Sequence, residues 1–407
     1  MFKETIWSFM AQGVGFVFYF ALNILLARRL GVKAFGTWSY FYSIISILLV
    51  FSYLGINPSI RVFLARFNKT DLLGNVLKAS LKLRFLFSII IAVSFFIAHK
   101  QIAVFLNRPD LKTLFLLASP LFILKGLTEY LKSVFQGLHR LKYHFMINFL
   151  EYGLKLLFVF LLFIYSANVL NVIYSFNLAF LLTSVIGLVL LFLKFYKRRQ
   201  PSKKKFEKKI LKYSFPLFLI NLGFIVMTEL DTTMLGFLST DTEVGVFSVA
   251  KQVVTNLPHI SLAIATGTMP IFAKLNNSNR RKLRKTFYKL LKYNTAIFGV
   301  ITLGILTLGW YFIPLIFGAD YSKSTTILIL LTPYMLLSSY SVFLSSLLDY
   351  QGLANKRAAN LSIAAVLNLA LNLLLIPSYG AGGAAVATSA SYIPYVFLNW
   401  REVKKLL

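Results

Sequence analysis

Apolar runs of about twenty residues, separated by short polar or basic breaks, recur along the whole chain. A helix needs about 20 mostly apolar residues to cross the hydrocarbon of a bilayer. By that ruler the pattern predicts spans at 5–27, 36–60, 85–107, 112–136, 144–166 and 169–193. After a basic break come 213–237, 244–272, 290–314, 324–348, 357–377 and 382–400. Twelve such segments describe an all-α polytopic membrane protein. The first apolar run extends well past the roughly 7–15 residues of a cleaved signal, so it reads as the first span.

The basic break is "KRRQPSKKKFEKKILK" (197–212), with nine basic side chains and one acid. Basic residues concentrate in cytoplasmic loops. With the N-terminus in the cytoplasm, the inner connections and termini, together with the helix ends beside them, hold 32 of the 43 Lys and Arg, and the outer connections with their helix ends hold 7. The remaining four, Lys125, Lys132, Lys155 and Lys251, fall deeper inside predicted helices. The expectation is a cytoplasmic (inner) membrane protein with both termini cytoplasmic. Its halves are 1–195 (spans one to six) and 213–407 (spans seven to twelve), joined by the basic linker 196–212. Pro201 and Ser202 prevent a continuous helix through that linker.

Composition agrees with the pattern. The chain is 58% hydrophobic and 14% charged, where soluble proteins are about 45–50% apolar and about a quarter charged. The net charge of +30 then reflects topology and attraction to anionic membrane lipids. No RNA-binding motif accompanies it, so nucleic acid is not an expected partner. Absence of cysteine excludes disulfides and thiolate chemistry. The four scattered histidines, His99, His139, His144 and His259, do not suggest a metal site, and no cofactor is expected.

A shift of 209 positions brings parts of the chain onto itself. "GVKAFGTWSYFY" (31–42) lies over "TDTEVGVFSVAK" (240–251), with Gly36 on Gly245 and Ser39 on Ser248. "NPSIRVFLARFNK" and "GTMPIFAKLNNSN" likewise both end a helix near a proline and run into a basic loop. Six helices return the chain to the same side, so the halves would be parallel repeats about an axis along the membrane normal.

The "FG-x-x-Y" turn (317–321), the Gly352 loop, "NLALNLLLIPSYGAGGAA" and the small-residue opening of the twelfth span form a third group of features. Together with "LLARRLGVKAFGTWSYF" (25–41) and "FPLFLINLGFIVMTELDTTMLGFLSTDTEVGVFSVA" (215–250), they resemble the polysaccharide-transporter branch of the multidrug/oligosaccharidyl-lipid/polysaccharide flippase superfamily. The resemblance implies two six-helix lobes in a V that open alternately to either side. It also implies a polyprenyl-diphosphate-linked oligosaccharide as cargo, for O-antigen, capsule or exopolysaccharide assembly. A glycan polymerase and chain-length regulators would be further partners. Many relatives have fourteen helices, and this chain's pattern stops soon after the twelfth.

Ionisable side chains at membrane depth cost several kcal/mol unless they face a wet cavity or a partner, so they nominate the pathway. Lys125, Glu129 and Lys132 are spaced i, i+4, i+7 on one helical face. Glu151 and Lys155 repeat the i, i+4 pairing, Lys251 lies on the eighth span, and Arg61 lies near the inner end of the second. These seven residues are the candidate cationic vestibule for a lipid diphosphate, met by charge-assisted hydrogen bonds. Tyr130, Asn148, Tyr152, Asn221, Thr232 and Thr233 are candidates for sugar hydroxyls. Internal pairing of Glu129 with Lys125 or Lys132, and of Glu151 with Lys155, is the structural reading of the same charges. Glu229 and Asp231, two apart on the seventh span, cannot share a face. They are candidates for coupling to H+ or Na+, and Asp231 could instead pair with Lys251. Trp38, Tyr311 and Trp400 fall at predicted helix ends, as an interfacial belt requires.

A membrane glycosyltransferase or glycan polymerase is the rival class, but the outer connections are short and carry no carboxylate cluster. No Walker lysine loop, HExxH or GxSxG is present. Within transporters the alternatives are a lipid II flippase and a drug exporter. Four intramembrane lysines against four acids, before Arg61 is counted, favour an anionic cargo over a cationic drug.

Overall fold

The computed structural model describes residues 2–68, 70–195, 206–265 and 280–407. Most of the basic linker, and the predicted eighth span beyond 265 with its "GTMPIFAKLNNSN" motif, lie outside the described residues. Helices fill the described chain: α1 (Phe2–Tyr53), α2 (Ile56–Phe67), α3 (Leu73–Phe105), α4 (Lys112–Ala118), α5 (Leu121–Gly137), α6 (Leu141–Tyr165) and α7 (Val169–Lys194). They continue as α8 (Glu207–Leu238), α9 (Asp241–Asn256), α10 (Arg280–Phe317), α11 (Lys323–Tyr350) and α12 (Ala354–Leu406). A further helical stretch covers 259–265.

Among the described residues eight helices are long and apolar enough to cross a membrane. A ninth is added if α4 and α5, bent by 46° at their junction, act as one span. Helix α1 has 52 residues and α12 has 53. At 1.5 Å per residue each would be about 78 Å long if straight, over twice a hydrocarbon core of about 30 Å. Each in fact carries two of the predicted spans, joined at one glycine. Gly31 (φ 74°) breaks α1 and Gly380 (φ 54°) breaks α12, in a region of backbone space that L-residues with a Cβ rarely enter. The join between the predicted spans 357–377 and 382–400 is therefore a one-residue kink. The glutamate Glu243 completes it: its Oε2 accepts the Ala381 N–H at 2.8 Å, satisfying an N-terminal donor of the second half.

The predicted second span, 36–60, is interrupted. Leu54 (φ 43°) and Gly55 (φ 70°) separate α1 from α2. A Cβ at Gly55 would lie 2.1 Å from the Ser214 carbonyl oxygen, so only glycine lets α8 approach there. The predicted third span also starts too late, at 85 rather than 73. Its first turns carry Lys78, Lys82 and Arg84, which a hydropathy ruler reads as loop.

By contacts the chain forms two compact units, 1–30 with 41–229, and 31–40 with 230–407. Helix α8 contributes to both. The first unit's core gathers Ile56, Ile60, Leu77, Leu131, Val134, Ile147, Leu191 and Ile210 from six helices. The second unit has a core of Phe287, Leu291, Phe343, Leu347 and Val403. Trp38 is not interfacial; it is 4% exposed and belongs to the packed interior.

Candidate functional site

Helices α5 and α6 bring four of the nominated charges together in the first unit. Lys132 Nζ lies 2.8 Å from Glu129 Oε1 and 2.5 Å from Glu151 Oε2. Lys155 Nζ lies 2.5 Å from Glu151 Oε1. The heptad-like spacing on α5 and the i, i+4 spacing on α6 aim these side chains at one another. Lys132, Glu151 and Lys155 are buried to 8%, 2% and 4% side-chain exposure, whereas Glu129 keeps 34%. Burying three charges costs several kcal/mol per ion unless the geometry repays it. Here each carboxylate oxygen of Glu151 holds one ammonium.

Lys125 completes the cluster; among the described residues it forms no ion pair. Its Nζ donates to Tyr42 Oη at 2.7 Å and sits 4.7 Å from the centroid of that ring. Lys132 and Lys155 flank Tyr152, at 5.4 and 4.9 Å from its centroid, and Lys155 is 4.1 Å from that of Phe180. Aromatic faces stabilise a desolvated cation through the ring quadrupole. The cluster holds three lysines and two glutamates. Glu229, on α8, is an electrostatic neighbour of Tyr19 and Tyr42 in the same unit.

The other two nominated cations have hydrogen-bond partners of their own. Arg61, exposed on α2, donates to Gln136 Oε1 at 3.3 Å. Lys251, on α9 in the second unit, donates to Thr232 Oγ1 at 2.8 Å. Of the proposed sugar ligands, Tyr130 is fully buried against Ser80 Oγ, 2.8 Å away. Asn148 donates to the Ala11 carbonyl.

Asp231 forms a second polar centre, within the second unit. Asn368 and Asn372 Nδ2 donate to its Oδ1 at 3.0 and 2.7 Å, and Thr388 Oγ1 donates to its Oδ2 at 2.8 Å. Asp231, Asn368 and Asn372 are all at most 5% exposed, and among the described residues Asn372 Oδ1 has no hydrogen-bond partner. The two asparagines come from the "NLALN" run, whose i, i+4 spacing puts both amides on one face of α12. Sequence reading noted that run for its resemblance but not for this chemistry, because neutral amides carry no charge signal.

Arg84 was also missed. It is 1% exposed and donates from Nε to the Gly126 carbonyl oxygen at 3.0 Å and from Nη1 to the Ser52 carbonyl oxygen. Its guanidinium carbon lies 4.9 Å from the Tyr53 ring centroid. It thereby ties α5 to the last turn of α1, where carbonyls lack helical partners.

An all-helical chain with paired charges and amides buried in helices of spanning length is a multi-pass membrane protein. Its fold is that of solved transporters: a multidrug-resistance MATE family transporter of the MOP superfamily, inward-facing, matches with TM-score 0.77 at 15% identity over 98% of both chains. The lipid II flippase MurJ in an inward closed conformation also matches with TM-score 0.77, at 18% identity over 99% of this chain and 88% of that one. The chain belongs to the polysaccharide biosynthesis protein family, whose model matches residues 1–276. The resemblance read from the motifs therefore holds. An uncharacterized membrane protein of Methanocaldococcus jannaschii is 25% identical over 418 residues, 97% of this chain and 96% of the relative. The probable low-salt glycan biosynthesis flippase Agl15 of Haloferax volcanii is 26% identical over 200 residues, 48% of this chain and 41% of that protein.

Proposed function

We propose that the protein is a flippase, not an enzyme, that moves a polyprenyl-diphosphate-linked oligosaccharide across the cytoplasmic membrane by alternating access. The observation that carries this reading is the buried lysine-rich cluster. Lys125, Lys132 and Lys155 converge among tyrosines, Lys132 and Lys155 paired with Glu129 and Glu151 and Lys125 held by the Tyr42 hydroxyl. Lys125, whose ammonium donates to a hydroxyl, suits a diphosphate, which accepts charge-assisted hydrogen bonds from ammonium groups. Membership of a polysaccharide biosynthesis family and similarity to a probable glycan flippase support the same class of cargo. In this reading Lys125 makes the first contact, because its partner is a neutral hydroxyl that a phosphate oxygen can replace.

Asp231 with Asn368, Asn372 and Thr388 is the proposed coupling centre. A carboxylate, two amides and a hydroxyl offer oxygen donors, which suit a proton or a hard cation such as Na+. Asn372 Oδ1, buried and without a partner, is one such donor already in place. In this scheme the two six-helix halves are 1–195 and 213–407, with both termini in the cytoplasm.

The test is transport of a fluorescent polyprenyl-diphosphate oligosaccharide in proteoliposomes. Lys125→Ala leaves the buried ion pairs intact and is expected to lower transport at least tenfold while melting like the wild type. Reversing Lys125, Lys132 and Lys155 to glutamate abolishes transport. Wild-type rates in Lys125→Ala would sink the cluster's role. Asp231→Asn is expected to retain cargo binding and lose dependence on the ion gradient.

A further inference from the structure

The lysines that hydropathy assigned to a loop edge a groove that the flippase reading does not use. Leu77, Lys78, Leu81, Lys82 and Phe85 on α3 face Leu191 and Phe192 on α7, with Tyr130 of α5 below, around a groove of about 300 Å³. Leu77, Tyr130 and Leu191 form a buried floor, and Phe192 is 44% exposed at the rim. Positions 78, 81, 82 and 85 recur at i, i+3, i+4 and i+7, so a stripe of one helix face is half apolar wall and half cation. The groove sits at the end of the bundle where α3 begins and α7 finishes. Lysine there extends its ammonium to the headgroup level while its methylenes stay on apolar surface.

We infer that this groove binds an anionic membrane lipid, one hydrocarbon chain lying along Leu81, Phe85 and Phe192 and the headgroup phosphate held by Lys78 and Lys82. Charge complementarity selects the occupant. The lining carries two ammonium groups and no acid, and among the described residues neither lysine has an ion pair or hydrogen bond. A zwitterionic lipid brings its own cation and gains little from such a pair. A protein partner needs about 800 Å² of surface per side, far more than eight residues around one narrow groove supply. A single lipid chain with a phosphate matches both its size and its charge. Every lining residue belongs to the first unit, so the inference stands whether or not the chain is a flippase.

The test is native mass spectrometry of the full chain, purified in detergent and exposed to equal amounts of phosphatidylglycerol and phosphatidylcholine. The wild type is expected to retain phosphatidylglycerol preferentially. Lys78→Gln/Lys82→Gln, both exposed and neutral to folding, lowers phosphatidylglycerol affinity by about thirtyfold, equivalent to about 1 kcal/mol for each lysine, and leaves phosphatidylcholine unchanged. Leu81→Trp, which narrows the groove, weakens phosphatidylglycerol with the lysines still present. Equal retention of the two lipids by the wild type, or an undiminished preference in the double variant, would overturn the inference. So would displacement by undecaprenyl phosphate in the absence of any phosphatidylglycerol preference, which would assign the groove to cargo.

Discussion

Gly36 and Gly245, which a 209-residue shift of the sequence brings together, pack against each other backbone to backbone. A Cβ on Gly36 would lie 1.7 Å from the Asp241 carbonyl oxygen and 2.8 Å from Gly245 N, and one on Gly245 would lie 2.2 Å from the Val32 carbonyl oxygen. Thr37 Oγ1 donates to Asp241 Oδ2 at 2.7 Å beside them. Without an oily driving force between helices in a bilayer, such close approach by small residues is what holds them. Gly36→Ala and Gly245→Ala are each expected to destabilise the protein by about 1–3 kcal/mol through overpacking. The pair combined should cost less than the sum, because both side chains displace the same helix. Thermal melting in detergent reads this; additive losses would show that the two glycines act separately.

Glu151 is the charge on which its cluster depends. Glu151→Gln leaves the buried Lys155 and Lys132 short of an anion and is expected to cost about 3–5 kcal/mol, seen as reduced yield and early melting. Removing Glu151 together with one of its two ammonium partners, by Glu151→Leu with Lys155→Met, should restore part of that stability, since apolar groups of similar volume pack without a desolvation cost and Lys132 keeps Glu129. Transport should not return with it. A stable double variant that still transports would make the pair purely structural.

Arg84 and Gly126 are fitted to one another. A Cβ at Gly126 would lie 1.7 Å from Arg84 Nη2. Gly126→Ala is therefore expected to displace the guanidinium from its carbonyls and lower stability by about 1–3 kcal/mol. Arg84→Lys should melt early too, because one ammonium cannot reproduce the planar fork that reaches two carbonyls on different helices. Hydrogen exchange would localise the loss to the α1–α2 break, and unchanged protection there would contradict the assignment.

At the α12 kink, Gly380→Ala meets both a positive φ and the Glu243 carboxylate, 2.7 Å from the added Cβ. A loss of about 1–2 kcal/mol is expected, since L-residues pay that much in left-handed conformations. Glu243→Gln keeps an acceptor but removes the negative charge from a helix N-terminus, at a cost of about 0.3–1 kcal/mol. Melting curves rank the two variants, and the reverse order would contradict this account of the kink.

The hydrophobic pattern by itself determined that the chain crosses a membrane many times and placed most helix centres, because about twenty apolar residues have no other stable home. It also located Lys125, Glu129, Lys132, Glu151 and Lys155, since charge inside an oily run is conspicuous. Tertiary structure decided the rest. The breaks at Gly31, Leu54–Gly55 and Gly380 depend on backbone angles that hydropathy does not encode. Asn368, Asn372 and Thr388 become a polar centre only when separate turns and helices converge on Asp231. Arg84 looked like a loop residue because a hydropathy ruler counts its charge and cannot see the two carbonyls that offset its burial. Sequence reports what each segment prefers; partners distant along the chain decide which buried polar groups are satisfied.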